Sequence, residues 1–305
     1  MLQSAPEAVR PRSLDEASAF LAEACSQGTR VRIGAELETA GLDRILEHET
    51  GDLTCTVEGG VRLSALRAAL EPHSQRLALD PPGDPTIGAC LAGNLSGPLR
   101  HRFGAPRDLV LGVTLVLADG TIASAGGKVV KNVAGYDLGK LVCGSRGTLG
   151  LIARVSLRLH PLPACEATVV VETDDVVRVA AALLRSQLQP SALDVLHPGR
   201  VAVLFEGNAR AVDAQVAATR ALVGGGLEDV GVWTETRERQ AASLGVLRFG
   251  ASALAEALAP HVEAVARPAV GVAYVPTRVG GVPSAGVRRL QRAIKDRFDP
   301  TGTLC

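Results

Sequence analysis

Aromatic residues are scarce in this chain, whose 305 residues include one Trp, two Tyr and five Phe. So few rings provide no platform on which nucleobases could stack. The chain also lacks an excess of basic residues, because 32 Lys and Arg balance 32 Asp and Glu and leave a formal net charge of zero. Nucleic-acid binders normally show a basic bias. The composition therefore argues against a nucleic-acid partner.

Paired cysteines, clustered histidines and long hydrophobic runs are absent as well. The six cysteines form no Cys-x-x-Cys pair and the six histidines show no metal-ligand spacing, so neither a metal site nor an iron–sulfur cluster is predicted. No apolar run approaches the roughly 20 residues that span a bilayer. Met1–Pro11 lacks the apolar core of a secretory signal. We expect a cytoplasmic protein with reduced thiols, which reaches a membrane only through partners.

Glycine, by contrast, is concentrated in the second quarter of the chain. Four glycine-containing clusters interrupt apolar runs at Asp80–Gly88, Asn94–Gly97, Lys131–Leu138 and Gly144–Gly150. Glycine lets backbone approach a ligand closely, because no Cβ stands in the way. The series predicts a long, flat ligand, such as a dinucleotide with a planar ring system. The clusters match neither the G-x-G-x-x-G dinucleotide fingerprint nor a Walker A loop.

Hydrophobic periodicity predicts an α+β chain of two domains, residues 1–164 and 165–305. Ser13 and Glu16 form a capping box before a first helix. Further helices are predicted at 63–70, 176–188, 211–222 and 287–298, and strands at 29–33, 53–58, 108–118, 151–159, 168–172, 201–205 and 271–275. Pro161 and Pro163 mark the domain boundary. The alternation of strands and helices in the second half predicts a smaller, ferredoxin-like α+β domain. No internal sequence repeat is evident.

Five motifs carry a resemblance to a known family. They are Pro82–Gly88, Asn94–Gly97, Arg107–Gly112, Lys131–Leu138 and Gly144–Gly150. Together they resemble the FAD-linked oxidases with a PCMH-type, vanillyl-alcohol-oxidase-like FAD-binding domain. The string Lys-Asn-Val-Ala-Gly-Tyr-Asp-Leu at Lys131–Leu138 is the sharpest piece and resembles the FAD-binding subunits of glycolate oxidases. The similarity covers nearly the whole chain and is looser in the C-terminal half. It implies a PCMH-type FAD domain followed by the smaller α+β domain.

The resemblance implies non-covalent FAD held across the first domain. Backbone N–H groups of Thr86, Ile87, Gly88, Ser96 and Gly97 would face the cofactor, and the segment from Gly147 to Gly150 would close over its other side. The full set of implied cofactor-binding residues is Gly34, Gly83, Thr86, Ile87, Gly88, Ser96, Gly97, Gly147, Thr148, Leu149, Gly150 and Ile152.

The resemblance also implies an activity and partners. Glycolate or a similar 2-hydroxy acid would be oxidised to the 2-oxo acid by hydride transfer to FAD. Such a substrate needs a cation for its carboxylate and a base for its hydroxyl proton, and the candidates are Arg100, His101 and Lys131. A second FAD-containing glycolate oxidase subunit and an iron–sulfur subunit would complete the complex.

The segment Arg32–Glu38 is the most consequential of the places where the chain departs from the family pattern. Where the family usually has a glycine-rich pyrophosphate loop, Arg32–Glu38 keeps one glycine, Gly34, and adds Glu36 and Glu38. Carboxylates near a diphosphate repel it unless they point away. Three interpretations stay open: a subunit of a heteromeric glycolate oxidase, a stand-alone FAD-dependent 2-hydroxy-acid dehydrogenase, and a structural subunit with a degenerate FAD site.

Overall fold

Two large antiparallel sheets and the helices that cover them make up the fold. The structure is a computed structural model that describes residues 8–127, 137–250, 252–280 and 283–305. The strands, in chain order, are β1 (Ile45–Glu49), β2 (Thr54–Glu58), β3 (Gln75–Arg76), β4 (Val110–Val116), β5 (Ile122–Gly126), β6 (Leu151–Arg158), β7 (His160–Pro161), β8 (Cys165–Glu172), β9 (Ala192–His197), β10 (Arg200–Gly207), β11 (Gly245–Arg248), β12 (Ala264–Arg267) and β13 (Val272–Val275).

Helices connect and cover these strands. They are α1 (Leu14–Ser26), α2 (Leu63–Leu70), α3 (Ile87–Gly93), α4 (Arg100–Phe103), α5 (Pro106–Leu109), α6 (Leu138–Val142), α7 (Val176–Arg185), α8 (Ala209–Val223), α9 (Val232–Ala242), α10 (Leu254–Leu258) and α11 (Ala285–Phe298). The predicted capping box is half formed at the start of α1. The Ser13 hydroxyl accepts the Glu16 N–H at 3.1 Å, but the Glu16 carboxylate accepts the Arg12 N–H at 2.8 Å instead of the Ser13 N–H.

The first sheet has the strand order β1-β2-β6-β4-β5. Its central strand β6 alternates as predicted: Val155 and Leu157 are buried, whereas Arg154 and Ser156 are only half-buried. The buried side chains pack with those of α2 and α3 into one core. A second core lies where α1 meets Leu151 and Ala153 of the same strand.

The second sheet has the order β11-β13-β12-β9-β10-β8 and consists of two similar halves. In the first half, β8 leads through α7 to β9, and the following strand β10 lies between them. In the second half, β11 leads through α10 to β12, and β13 lies between them. The halves join where β9 pairs with β12. Thus the structure repeats a β-α-β-β unit that the sequence does not reveal.

The two faces of this sheet have different partners. Because successive side chains point to opposite faces of a strand, Val201, Val203 and Phe205 of β10 share one core with α7, α8 and α10. Ala202 and Leu204 face the other way, toward Trp233 of α9. This second face is the one turned toward the first half of the chain, because α4 packs on β9.

The last residues return to the first half of the chain. The Val31 N–H donates to the Thr303 carbonyl at 2.7 Å, and the Cys305 N–H donates to the Val31 carbonyl at 3.1 Å. Leu304 is buried in the core beneath α1. The Lys295 ammonium donates to the carbonyls of Thr148 and Leu304 at 2.8 and 2.7 Å. The C-terminal segment is therefore part of the packing of the first half.

Two predicted strands need correction. The prediction of a strand at 29–33 is wrong, because Val31 and Ile33 make only isolated bridges, to Leu304 and Leu37, and no continuous ladder. The strand predicted from Asp108 begins at Val110 instead. Pro106–Leu109 forms a helical turn there, in which the Asp108 carboxylate accepts the Ala105 N–H at 2.8 Å.

Candidate functional site

A cleft of about 470 Å³ opens between the loop after α1, the start of α3 and the start of β6. Cofactor and ligand sites typically measure about 300–1,000 Å³. Six of the predicted cofactor residues line this cleft: Gly34, Thr86, Gly88, Gly147, Gly150 and Ile152.

The other predicted cofactor residues lie elsewhere. Gly83 borders a separate pocket of about 340 Å³ beside α9, and Ile87 is buried in the core under the first sheet. Thr148 and Leu149 border a groove of about 1,000 Å³ beside α11. Ser96 and Gly97 lie against residues of the second half and against Asp80.

Close backbone packing explains two glycines of the cleft. A Cβ on Gly147, whose φ is +79°, would lie 3.1 Å from the Cβ of Ile33. A Cβ on Gly88 would lie 2.8 Å from the Gly59 carbonyl oxygen. Glycine therefore lets the wall segments of the cleft approach each other as well as a ligand.

The backbone donors of the cleft are mostly used within the protein. The Ile87 N–H donates to the Val61 carbonyl at 2.8 Å, and the Gly88 N–H donates to the Gly59 carbonyl at 2.7 Å. The prediction that these two amides face a cofactor is therefore wrong: the crossing of α3 with the 59–61 segment already satisfies them.

The two glutamates of the Arg32–Glu38 loop are neutralised by neighbouring arginines. The Arg32 guanidinium lies 2.7 Å from the Glu36 carboxylate, and the hydrogen bonds from Arg32 lower the pKa of Glu36 to about 2. The Arg10 guanidinium pairs with Glu38 at 2.7 Å. The repulsion that the sequence predicted is thus offset locally.

Sequence reasoning missed two cationic residues of the cleft, Arg62 and Arg146. Arg62 precedes α2 and pairs with Thr86 through an isolated bridge. Arg146 has a φ of +55°, and its N–H donates to the Ala92 carbonyl at 2.8 Å. The sequence contains a signal for Arg146. It is the one arginine within the glycine cluster Gly144–Gly150, so its side chain projects beside glycines that have none.

A buried polar cluster joins the two halves of the chain, and Arg267 is at its centre. Its guanidinium lies 3.2 Å from Asp194, donates to Gln240 at 2.7 Å, and lies 3.4 Å from the Ser96 carbonyl. The Gln240 amide donates to the same Ser96 carbonyl at 2.9 Å. The Tyr274 hydroxyl is 3.2 Å from Arg267. These residues come from β9, β12, β13, α9 and the loop after α3.

The sequence offered a signal for this cluster as well. Asp194 and Arg267 are charged residues inside otherwise apolar strands, and they occupy positions that face the first half of the chain. Charged residues are rarely buried unless they are paired. Two such positions in separate strands predict a pair, although only the strand order shows that β9 and β12 are neighbours.

Two of the three catalytic candidates lie beside this cluster. Arg100 and His101 are in α4, and the Arg100 guanidinium lies 3.3 Å from the Ser96 hydroxyl. Burial lowers the pKa of both side chains. The His101 Nδ1 has no partner within the described part of the chain. Lys131, the third candidate, lies outside the described residues, as does most of the Lys131–Leu138 motif.

Two further properties concern metals and membranes. Within residues 8–127, 137–250, 252–280 and 283–305, no group of three or more His, Cys, Asp or Glu side chains is placed to hold a metal ion. None of the helices in the described ranges is both long and apolar enough to cross a bilayer.

Comparison with known proteins agrees with the geometry of the cleft. Residues 34–126 match the family model described as FAD binding domain. This stretch is an FAD binding domain. It contributes most of the cleft walls, from Gly34 through Gly93, while Ile33 and the segment 146–152 contribute the remainder. The sequence resemblance to FAD-linked oxidases and the prediction of FAD as the cofactor are confirmed.

Several curated proteins are similar to the chain. Glycolate oxidase subunit GlcE of Escherichia coli is 33% identical over 64% of this chain and 56% of its own length. Glycolate oxidase subunit GlcD of Bacillus subtilis is 33% identical over 64% of this chain and 46% of its own length. The mitochondrial D-lactate dehydrogenase [cytochrome] of Kluyveromyces lactis is 29% identical over 56% of this chain and 30% of its own length. The matches thus span about half or less of these relatives.

Solved structures show the same fold. A structure of alkyldihydroxyacetonephosphate synthase superposes with a TM-score of 0.73 over 97% of this chain and 74% of that chain, at 16% identity. At that identity the likeness concerns the fold alone. Together with the match to the FAD binding domain, it confirms the predicted fold class, an α+β chain with a PCMH-type FAD-binding domain, whereas the boundary between residues 164 and 165 stays a prediction.

The residues of the cleft suit FAD. Bare backbone at Gly34 and Gly150, together with the apolar side chains of Ile33 and Ile152, suits flat rings, and the guanidinium groups of Arg62 and Arg146 suit a diphosphate.

Proposed function

We propose that this chain is the FAD-binding subunit of a heteromeric glycolate oxidase. It would oxidise glycolate or a similar 2-hydroxy acid to the 2-oxo acid. The observation that carries the proposal is the FAD binding domain at residues 34–126, in a chain 33% identical to glycolate oxidase subunit GlcE over 64% of its length. The similarity to a D-lactate dehydrogenase supports the broader substrate class, acids with a 2-hydroxyl group.

When bound, FAD supplies the acceptor for the hydride that leaves the substrate carbon. The chain itself must hold the substrate carboxylate and accept the hydroxyl proton. We assign the first role to Arg100, whose planar guanidinium pairs with a carboxylate in a bidentate manner. Its hydrogen bond to the Ser96 hydroxyl, at 3.3 Å, restrains the side chain.

We assign the proton acceptor to His101. Burial lowers its pKa, so the imidazole is neutral at physiological pH, and its Nδ1 has no partner among the described residues. A neutral imidazole with a free nitrogen can take up the proton as the hydride leaves. Lys131, which lies outside the described residues, stays a second candidate cation.

The proposal includes two partners, a second FAD-containing subunit and an iron–sulfur subunit that carries the electrons away. The similarity to both an E and a D subunit of glycolate oxidases supports an assembly of several chains. We place the chain in the cytoplasm, with access to the membrane only through these partners.

Purification of the chain alone, followed by acid release of flavin, tests the cofactor role. About one FAD per chain supports the proposal, whereas a colourless protein that does not take up added FAD but still assembles with partners identifies a structural subunit. Glycolate-dependent reduction of an artificial acceptor then locates the activity. Reduction only by the assembled complex supports the heteromeric enzyme, and reduction by the isolated chain identifies a stand-alone dehydrogenase.

A further inference from the structure

The loop that would cradle a diphosphate has few free backbone donors. Within Arg32–Glu38, the Gly34 N–H donates to the Leu37 carbonyl at 2.8 Å, and the Ala35 N–H donates to the Arg32 carbonyl at 3.2 Å. The Arg32 N–H donates to the Glu36 carboxylate at 2.9 Å. The loop thus uses its amides to hold its own shape, and a ligand would have to break these bonds to recruit them.

The start of α3 is occupied in the same way. Besides the Ile87 and Gly88 amides, which donate to the 59–61 segment, the Ala89 N–H donates to the Thr86 hydroxyl at 3.2 Å. The first three amides of this helix are therefore unavailable to a phosphate oxygen.

The charges that remain at the cleft are positive. Glu38, the carboxylate that lines the cleft, is paired with Arg10. Arg62 and Arg146 also line it, and neither makes a salt bridge to another described residue. One N–H of the Arg62 guanidinium donates to the Asp84 carbonyl at 2.8 Å, which anchors the side chain, and its other donors have no partner among the described residues.

Arg146 is held at the cleft by its backbone. Its φ of +55° is a conformation that residues other than glycine rarely adopt. The hydrogen bond from its N–H to Ala92 ties the residue to the C-terminal part of α3. Gly147, which follows it, packs against Ile33. The side chain therefore projects from a fixed point of the wall.

We propose that the guanidinium groups of Arg62 and Arg146 bind the diphosphate of FAD, in place of the loop amides. The proposal rests on the proposed function, because FAD is the ligand. Each planar guanidinium offers parallel N–H donors that match phosphate oxygens. The two arginines come from separate segments, one before α2 and one before β6, so together they can grip the diphosphate from two points of the wall.

Titration of the full chain, freed of flavin, with FAD and with riboflavin tests this role. Flavin fluorescence anisotropy reports binding of both ligands, and riboflavin lacks the diphosphate. The variants are Arg62→Gln, Arg146→Gln and their combination, which remove the charge but keep a polar side chain. Arg210→Gln, an exposed change at the start of α8 in the second half, is the matched control.

Each cleft variant is expected to weaken FAD binding about tenfold, and the double variant about a hundredfold, because charge-assisted hydrogen bonds are lost. Riboflavin binding stays within twofold, and the control binds FAD as the unaltered chain does. Raising the salt concentration weakens FAD binding of the unaltered chain more than that of the double variant. Arg146→Lys is expected to retain part of the affinity, since it keeps the charge.

Two results separate the possible failures. If the cleft variants bind FAD as tightly as the unaltered chain, or lose riboflavin and FAD equally, the arginines do not bind the diphosphate and the inference is overturned. If the unaltered chain binds neither FAD nor riboflavin, the proposed cofactor role fails before the arginines are tested.

Discussion

At the scale of single residues, Arg267 and Asp194 combine burial and charge. Their side chains are 1% and 0% exposed, and their charged atoms lie 3.2 Å apart. Water cannot solvate either charge, so each depends on the other and on the surrounding hydrogen bonds. Burial raises the pKa of Asp194, while the Arg267 charge opposes that change. Removing only one of the two charges is therefore expected to lower the stability of the fold strongly.

Arg267→Met is expected to lower the free energy of unfolding by about 3–5 kcal/mol, because it leaves the Asp194 carboxylate buried without its counter-charge. Urea denaturation followed by circular dichroism measures the loss. The double variant Arg267→Met with Asp194→Asn carries neither charge of the pair, so part of the lost stability is expected to return. A double variant that loses the sum of the two single effects would contradict the coupling.

Gly97 shows how a single missing Cβ permits a contact between loops. A Cβ at this position would lie 1.8 Å from the Asp80 carbonyl oxygen, a backbone atom that cannot move aside independently. Gly97→Ala is expected to cost more than about 2 kcal/mol in stability, measured by thermal or urea unfolding. Gly51→Ala is the control, because nothing lies within 4 Å of its added Cβ, and it should stay within about 0.5 kcal/mol.

At the scale of elements, the sequence predicted the helices and strands whose apolar residues recur at regular spacing. Helix α2 has the predicted bounds, and strand β6 begins at the predicted residue, Leu151. Both elements have regular apolar spacing and a clear start in the sequence. Strand β12 was missed, because Ala264, Val265 and Ala266 include two strong helix formers that become strand only through pairing with β9 and β13. Tertiary packing overrode local preference there.

The same distinction applies to the candidate site. Six residues of the cleft were among those that the family resemblance implied, because the motifs that carry the resemblance are local and visible in the sequence. Arg62 and the Arg267 cluster were not predicted. Their roles depend on which segments lie side by side, such as α2 beside Thr86 and β9 beside β12. That information belongs to the topology of the sheets.

The short ribbon of β3 and β7 contains a histidine whose protonation should affect the stability of the fold. His160 of β7 pairs with Arg76 and packs edge-on against the Phe103 ring, at 4.8 Å. Burial, followed by the nearby charges of Arg158, Arg76 and Arg102, lowers the pKa of His160 to about 4. The folded ribbon therefore favours the neutral imidazole.

Protonation of His160 should accordingly destabilise the fold. An unfolded histidine titrates near 6.5, so the unfolded state binds the proton first as the pH falls, and stability declines between about pH 6.5 and pH 4. We expect the decline to be at most about 1.4 kcal/mol per pH unit. His160→Gln should remove this contribution to the pH dependence. The midpoints of urea unfolding at pH 6.5 and pH 4.5 should then differ less in the variant than in the unaltered chain. An unchanged difference would show that the ribbon opens around the charged ring.

At the scale of the whole molecule, the two halves meet through polar groups around Asp80. Its carboxylate accepts the Leu99 N–H at 3.1 Å and lies 3.6 Å from the Arg237 guanidinium of α9. Burial raises the pKa of Asp80 to about 7, although Arg267, Arg237 and the Leu99 hydrogen bond oppose the change and Asp194 adds to it. Protonation of one side chain thus affects how the halves are held together.

The sign of the pH dependence at Asp80 is opposite to that at His160. The folded state keeps the proton up to about pH 7, whereas the unfolded state loses it near pH 3.8, so stability falls as the pH rises between these values. Asp80→Asn, which cannot ionise, is expected to flatten this slope. Urea unfolding of both proteins from pH 5 to pH 8 checks it, and a steeper decline in the variant would rule out the assignment.

The return of residues 303–305 to Val31 also bears on the order of folding. These residues flank Val31 and fill the core beneath α1, next to the loop that carries Ile33 and Gly34. Contacts between positions so distant in sequence form late and slowly. Until they form, this wall of the FAD cleft lacks its support. Capture of the flavin would therefore be among the last events of folding, after these distant segments have met.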